Sequence, residues 1–343
     1  MGRHLFVAAL LSLPAGATAQ DAPAAAILRG KVPSQPYIAY EVRDALGRAI
    51  RGYLSERQGT TLRPLIVYVH GSGHQSHFRR VADRTIPANG HATLTDVARG
   101  VARVLIVEKP GVLQYDDGSL PPSDAFRREH TLDRWVEAVV AMTRAIRRLP
   151  DVDTTRLLLV GHSEGGLVAA RVAARLPEVS HVALLAGGGP TQLFDIIQFA
   201  RRGTFFSHVA PDPATRVAYV LAQWDSIRAD PESATRDFFG HPYRRWASFL
   251  GDSPMAALRA TRAAVFLAQG EDDQAVTRES FDVLAAELLA AGRNPHLHLV
   301  AGADHSFHGS TTPQDGWSEI LVRIRDWYLS EVPSRDGAVI PPT

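Results

Sequence analysis

Residues 156–174 read RLLLVGHSEGGLVAARVAA, and the interpretation of the whole chain turns on them. Residues 157–160 are a compact apolar run of the buried-strand kind, and residues 167–176 keep a helical apolar face until Pro177. Between them, Gly161-His162-Ser163-Glu164-Gly165 has the G-x-S-x-G spacing of a sharp strand-to-helix turn that lifts a serine hydroxyl clear of a sheet edge. Side chains two positions before and after the serine would collide on so tight a turn, which accounts for Gly161 and Gly165. Serine is a weak nucleophile at its free pKa, so Ser163 needs a base, and the base needs an orienting acid.

Working outward, residues 65–69 form another continuous apolar run, closed by His70-Gly71-Ser72-Gly73. Acyl transfer needs two backbone N–H groups aimed at the developing oxyanion, one from the residue after the nucleophile and one from the loop after an early strand. Glu164 and Ser72 are the expected donors. His70, His74 and His77 share this loop, but without carboxylates or cysteines at metal-binding spacing they do not read as a metal site.

Residues 101–107 are a third buried-type strand, ending in Glu108-Lys109-Pro110-Gly111. Ligands gather at the carboxyl ends of parallel strands, which makes Glu108 and Lys109 candidate substrate contacts. Lys109 either grips a substrate carboxylate or pairs with Glu108, and the pair is the simpler reading. Residues 114–128 read as loop. Residues 131–148 read as a helix, with Leu132, Trp135, Val136, Val139, Val140, Thr143 and Ile146 at helical spacing. The strand before Ser163 then completes a strand-helix-strand unit of the sort that builds parallel sheets.

A further strand over 181–186 leads into Gly187-Gly188-Gly189, which lacks the lysine and hydroxyl of a phosphate loop and reads as a tight strand exit. The sheet resumes at 263–268 and ends beside Asp272 and Asp273, either of which suits an orienting acid. A helix over 278–291, a last strand over 296–300 followed by Gly302-Ala303-Asp304-His305, and an amphipathic helix carrying Trp317, Ile320, Leu321, Ile324 and Tyr328 complete the pattern. Upstream, residues 37–42 and 49–54 read as an antiparallel hairpin.

Residues 191–262 break this alternation. They are rich in aromatics and contain no strand-like run, so they are expected to form a helical cap inserted between two strands. Such a cap roofs the serine and shapes an apolar pocket, with Trp224 and Trp246 as candidate lining residues.

The 343 residues, 45% of them hydrophobic, suffice for one large core. A net charge of +1 with dispersed charges argues against nucleic acid as a main partner. Lys31 and Lys109 are the only lysines, and the chain has no cysteine. Residues 1–19 carry Arg3 and His4, a short apolar run and Ala17-Thr18-Ala19, the layout of a secretory signal peptide; cleavage would leave Gln20 first. Residues 20–36 read as linker and 331–343 as a polar tail. No stretch reads as a stable membrane span, so the expectation is an exported protein, periplasmic or secreted.

Serine, acid and histidine thus stand in that order at successive strand ends. This arrangement resembles the α/β-hydrolases, through His70 to Gly73, Gly161 to Gly165, Gly270 to Val276 and Gly302 to Phe307. The resemblance implies a mostly parallel sheet flanked by helices, with core segments 37–190 and 263–330. It selects Asp273 over Asp272 as acid and His305 as base. Within the family, Gly-His-Ser-Glu-Gly-Gly looks like dienelactone-hydrolase-like and serine-peptidase-like members, although the former use a cysteine this chain lacks and the prolyl-oligopeptidase group carries a propeller for which there is no room. The implied activity is ester hydrolysis through Ser163, His305 and Asp273, on a small ester or short peptide, without metal or organic cofactor. An aminopeptidase or dipeptidyl-peptidase-like enzyme, in which Glu108 or a cap acid reads a free amine, is the alternative. A non-catalytic receptor on the same fold is a third reading, which the complete triad argues against.

Overall fold

The computed structural model describes residues 25–309 and 316–330. The expected signal peptide and tail lie outside them. In chain order the elements are β1 (Ile27–Lys31), β2 (Tyr37–Arg43), β3 (Ala49–Ser55), β4 (Arg63–Val69), a small hairpin of β5 (Phe78–Val81) and β6 (Arg84–Pro87), α1 (His91–Val97), β7 (Arg103–Val107), α2 (Asp124–Glu129), α3 (Leu132–Ile146), β8 (Val152–His162), α4 (Glu164–Arg175) and β9 (His181–Leu185). There follow α5 (Gln192–Arg202), α6 (Pro213–Ala229), the two-residue pair β10 (Asp237–Phe238) and β11 (His241–Pro242), α7 (Tyr243–Phe249), α8 (Pro254–Arg259), β12 (Ala264–Gly270), α9 (Arg278–Ala290), β13 (His296–Val300) and α10 (Gly316–Ser330).

Nine strands form one sheet in the order β1-β2-β3-β7-β4-β8-β9-β12-β13. The pairs from β7 to β13 are parallel, and β1, β2 and β3 add an antiparallel edge. All five residues of β7 and of β9 are buried, as expected of strands covered on both faces. Alternate side chains divide between two cores. Val67, Leu105, Leu159 and Leu184 pack with α3, α4 and α9, whereas Ile66, Val104, Val160 and Leu185 pack with α1 and α10. In α3 the predicted stripe is buried throughout, each large apolar side chain contributing about 1.5–3 kcal/mol.

Three local differences from the sequence expectation have physical reasons. β1 lies inside the stretch read as linker; four of its five residues are exposed, so no apolar alternation marks it, and backbone pairing to β2 holds it. The short helix α2 sits in the stretch read as loop, capped by Ser123, whose Oγ accepts from the Phe126 N–H. The insertion after β9 is helical and has its own small core of Ile196, Phe206, Val220, Phe238, Tyr243, Trp246 and Leu250, but its chain rejoins the main core at Phe249, Ala257 and Leu258. Among the described residues, no helix is long and apolar enough to cross a membrane.

Candidate active site

The chain leaves β8 and enters α4 through Ser163, whose φ of 55° and ψ of −129° lie outside the ordinary regions for a non-glycine residue. Such a conformation costs about 1–3 kcal/mol and persists where its surroundings enforce it. They do: the Ser163 N–H donates to the Leu185 carbonyl at 2.8 Å, and its own carbonyl accepts from Gly166 at 2.8 Å. A β-carbon on Gly161 would run into the Gly165 backbone, and one on Gly165 into the carbonyls of Val69 and His70. Both glycines are therefore dictated by space.

β12 delivers Asp273 and the turn after β13 delivers His305. The Asp273 Oδ2 stands 2.8 Å from His305 Nδ1 and accepts from the Gln269 amide at 2.8 Å. Its Oδ1 accepts the backbone N–H groups of Ala275 and Val276 at 2.7 and 3.0 Å. Burial works to raise this carboxyl, but the His305 hydrogen bond and charge, together with those N–H groups, hold it below the ordinary carboxylate range. Asp272 is exposed and faces elsewhere. Asp304 caps its own loop, accepting the N–H groups of Ser306 and His308. With Nδ1 engaged, the His305 Nε2 is the nitrogen left for a serine proton.

Two cavities meet at Ser163, Ser72 and His305, all three of which line both. One, of about 440 Å³, is bounded by Tyr68, Asn89, Thr93, His162, His308 and Trp317. The other, of about 330 Å³, lies under the inserted helices against Leu167, Ile196, Phe199, Phe205, Phe239 and Trp246. Ser72 and Glu164 line the cavity beneath the insertion together with Ser163. Among the described residues, the Ser72 N–H donates to no protein acceptor, and the Glu164 N–H heads α4, where intrahelical acceptors are lacking.

Of the four residues read as substrate contacts, only Trp246 lines a cavity. Trp224 lies away from both, half-buried against the inserted core. Glu108 and Lys109 are buried behind the loop that follows β4 and line neither cavity. Nor do they form an ion pair with each other. Glu108 Oε1 accepts from Tyr53 Oη at 3.2 Å, Ser76 Oγ at 2.6 Å and the His77 N–H at 3.2 Å. Lys109 Nζ donates to the carbonyls of Gly71 at 2.5 Å and Gly73 at 2.7 Å. Both order the loop from beneath instead of facing the cavities where sequence reading had placed them against substrate.

Several neighbours escaped that reading. His162 points away from Ser163 and its Nε2 meets the His305 carbonyl at 2.9 Å, bracing the base; burial brings its imidazole down to about 4. Glu164 does more than offer its N–H: its buried carboxylate joins Arg245 of α7 and, at 2.9 Å, Gln192 of α5, fastening the inserted helices to the serine turn. The Arg245 guanidinium lies 3.9 Å from the Trp246 ring centroid, and burial brings it down to about 9. Asp195 of α5 places Oδ1 on Thr277 and Ser280 at the start of α9, and the residue lines the cavity beneath the insertion, where burial pushes its carboxyl up. Apart from the adjacent Arg245 and Trp246, each of these contacts spans a long stretch of chain, so no sequence spacing links the residues. Among the described residues, no group of three histidines and acids is placed to hold a metal ion.

The fold and this constellation define a hydrolase-type architecture, and comparison with known proteins agrees. A model of the alpha/beta hydrolase family matches residues 66–319, and the chain belongs to that family. Among solved structures, it is similar to Est1E from Butyrivibrio proteoclasticus, with 16% identity and a TM-score of 0.55 over 85% of this chain and 99% of that one. It is similar to the acylaminoacyl peptidase of Pyrococcus horikoshii, with 13% identity and a TM-score of 0.58 over 90% of this chain and 44% of that one. It is also similar to dipeptidyl peptidase 4 of Porphyromonas gingivalis, with 13% identity and a TM-score of 0.53 over 87% and 36%. The chain thus spans less than half the length of these two peptidases. No curated protein matched.

Proposed function

We propose that this protein is an exported serine hydrolase that cleaves carboxylic esters through an acyl-enzyme. The observation that carries the reading is the contact of Asp273 with His305 at 2.8 Å beside a serine held in a strained turn where two cavities meet. Ser163 Oγ attacks the carbonyl carbon while His305 Nε2 takes its proton; Asp273 orients the ring and stabilises the imidazolium. The N–H groups of Ser72 and Glu164 receive the charge on the carbonyl oxygen. Collapse expels the alcohol, which takes the proton back from His305. Water, deprotonated by the same base, then releases the acid. The cavities on either side leave room for the acyl and alcohol portions.

The test is turnover of short p-nitrophenyl esters together with labelling by a fluorophosphonate probe. Both should be abolished by Ser163→Ala, and undiminished turnover would sink the reading. Export is tested by sequencing the protein recovered outside the cytoplasm, which should begin at Gln20.

Amide hydrolysis at a free N-terminus is the second reading, and Asp195 favours it. A carboxyl that lines the cavity beneath the insertion and makes its hydrogen bonds to Thr277 and Ser280 through Oδ1 suits a substrate ammonium at its other oxygen. Asp195→Asn keeps the Oδ1 that anchors α9 and replaces the other oxygen with a donor. If this reading holds, amino-acyl substrates should outrun their desamino analogues in the native enzyme, and the preference should disappear in the variant.

A further inference from the structure

We propose that Lys109 is a positioning residue for the oxyanion hole, aiming the Ser72 N–H at the reacting carbonyl; the role rests on the serine-hydrolase reading above. The loop of residues 71–75 makes no backbone-to-backbone hydrogen bond among the described residues. What holds its carbonyls is Lys109, whose Nζ reaches Gly71 O at 2.5 Å and Gly73 O at 2.7 Å, the two carbonyls on either side of Ser72.

The consequence follows from peptide geometry. In a trans peptide the C=O and the following N–H point in opposite directions, and the described chain has no cis peptide bond. Gly71 O and Ser72 N–H belong to one such unit. Pinning the carbonyl toward Lys109 therefore turns the N–H away from Lys109. Lys109 lies behind the loop, while Ser72 lines both cavities beside Ser163. The loop also touches the nucleophile: a β-carbon on Gly71 would stand 2.9 Å from Ser163 Cβ and 3.3 Å from its Oγ.

The lysine is itself held in place. Its side chain is buried, and Nζ lies 4.8 Å from the ring centroid of Trp135, a fully buried residue of α3. Burial pushes the Lys109 amine well below the ordinary lysine range, and its buried N–H groups, charged or not, cost free energy unless they keep both carbonyl acceptors. An N–H donor on Gly71 O also polarises the shared amide and strengthens the Ser72 N–H as a donor. Since Lys109 lines neither cavity, its action on substrate passes through the loop.

Lys109→Met keeps the length and the packing on Trp135 but removes the donors. The expected result is a fall in kcat of about 100-fold, the size seen on loss of one oxyanion donor, with KM changed less than about three-fold. Affinity for a trifluoromethyl ketone, whose adduct with Ser163 places an oxyanion in the hole, should fall with kcat, while affinity for the carboxylic acid product should not. A merely structural role would not separate these two affinities. A folded variant with kcat within about three-fold of native, or a loss carried by KM, overturns the proposal. If Lys109→Met fails to fold, Lys109→Gln decides: a kcat loss of about five-fold or more with KM held supports the role, and unchanged kcat overturns it. Retained turnover in Ser163→Ala would instead remove the underlying reading, whatever Lys109 does.

Discussion

The two loops that meet at the reaction centre are built by opposite means. The turn carrying Ser163 is fixed by exclusion, since Gly161 and Gly165 are pressed against backbone and the serine has one conformation open to it. The loop carrying Ser72 is crowded where Gly71 meets Ser163 but open beyond it: a β-carbon on Gly73 would meet nothing within 4 Å. Its shape is imposed from outside by the Lys109 amine and by a buried polar group of Glu108, Ser76, His77 and His91. A turn fixed by sterics announces itself in local spacing. A loop fixed by remote hydrogen bonds does not.

The contrast can be broken in several ways, the largest first. Ser163→Ala removes the reason for the strained turn and should lower ester turnover by a factor of about 10⁴ or more with the fold intact, as read by steady-state kinetics and circular dichroism. Asp273→Asn should cost about 10⁴ in kcat through the wrong His305 tautomer, whereas Asp272→Asn should stay within about three-fold. The steric claim predicts a difference in stability. Gly165→Ala should destabilise by about 3 kcal/mol or more in urea titration because its neighbours are carbonyls that cannot yield, while Gly73→Ala should cost about 1 kcal/mol of backbone strain alone.

A separate effect concerns acid. Burial brings His91 down to about 4, with Nδ1 on Tyr37 Oη and Nε2 on the His77 carbonyl. Its folded value lies below the unfolded one, so the unfolded chain takes up the proton first as pH falls. Stability present above about 6.5 is therefore lost progressively down to about 4, by an amount on the order of 3 kcal/mol for this residue. His77 and His70 add to it in the same direction. The urea midpoint should fall over that window, and His91→Gln should flatten the slope.

Much of the fold was legible because its signals are local. The continuous apolar runs within β4, β7 and β9 and the helical stripe of α3 announce burial from local pattern alone. β1 was missed because it is exposed and defined by its partner, and α2 because six residues capped by Ser123 leave too little pattern. The candidate triad was legible in the order of strand ends. The roles of Lys109, Glu108, Asp195 and Arg245 were not, because a charged residue in a sequence looks the same whether it faces a cavity or the underside of a loop.

From sequence alone came the strand-turn-helix around Ser163, the expectation of His305 at a strand end and the presence of an inserted helical segment. Each depends on spacing within a few residues, where sterics and periodicity act. Tertiary structure alone decided that the expected acid and base come within 2.8 Å of each other, that Trp246 and not Trp224 lines the cavity, and that Lys109 turns its amine on two carbonyls. These outcomes depend on which distant segments share a volume, and that is set when the sheet closes and its strand ends are brought to one edge.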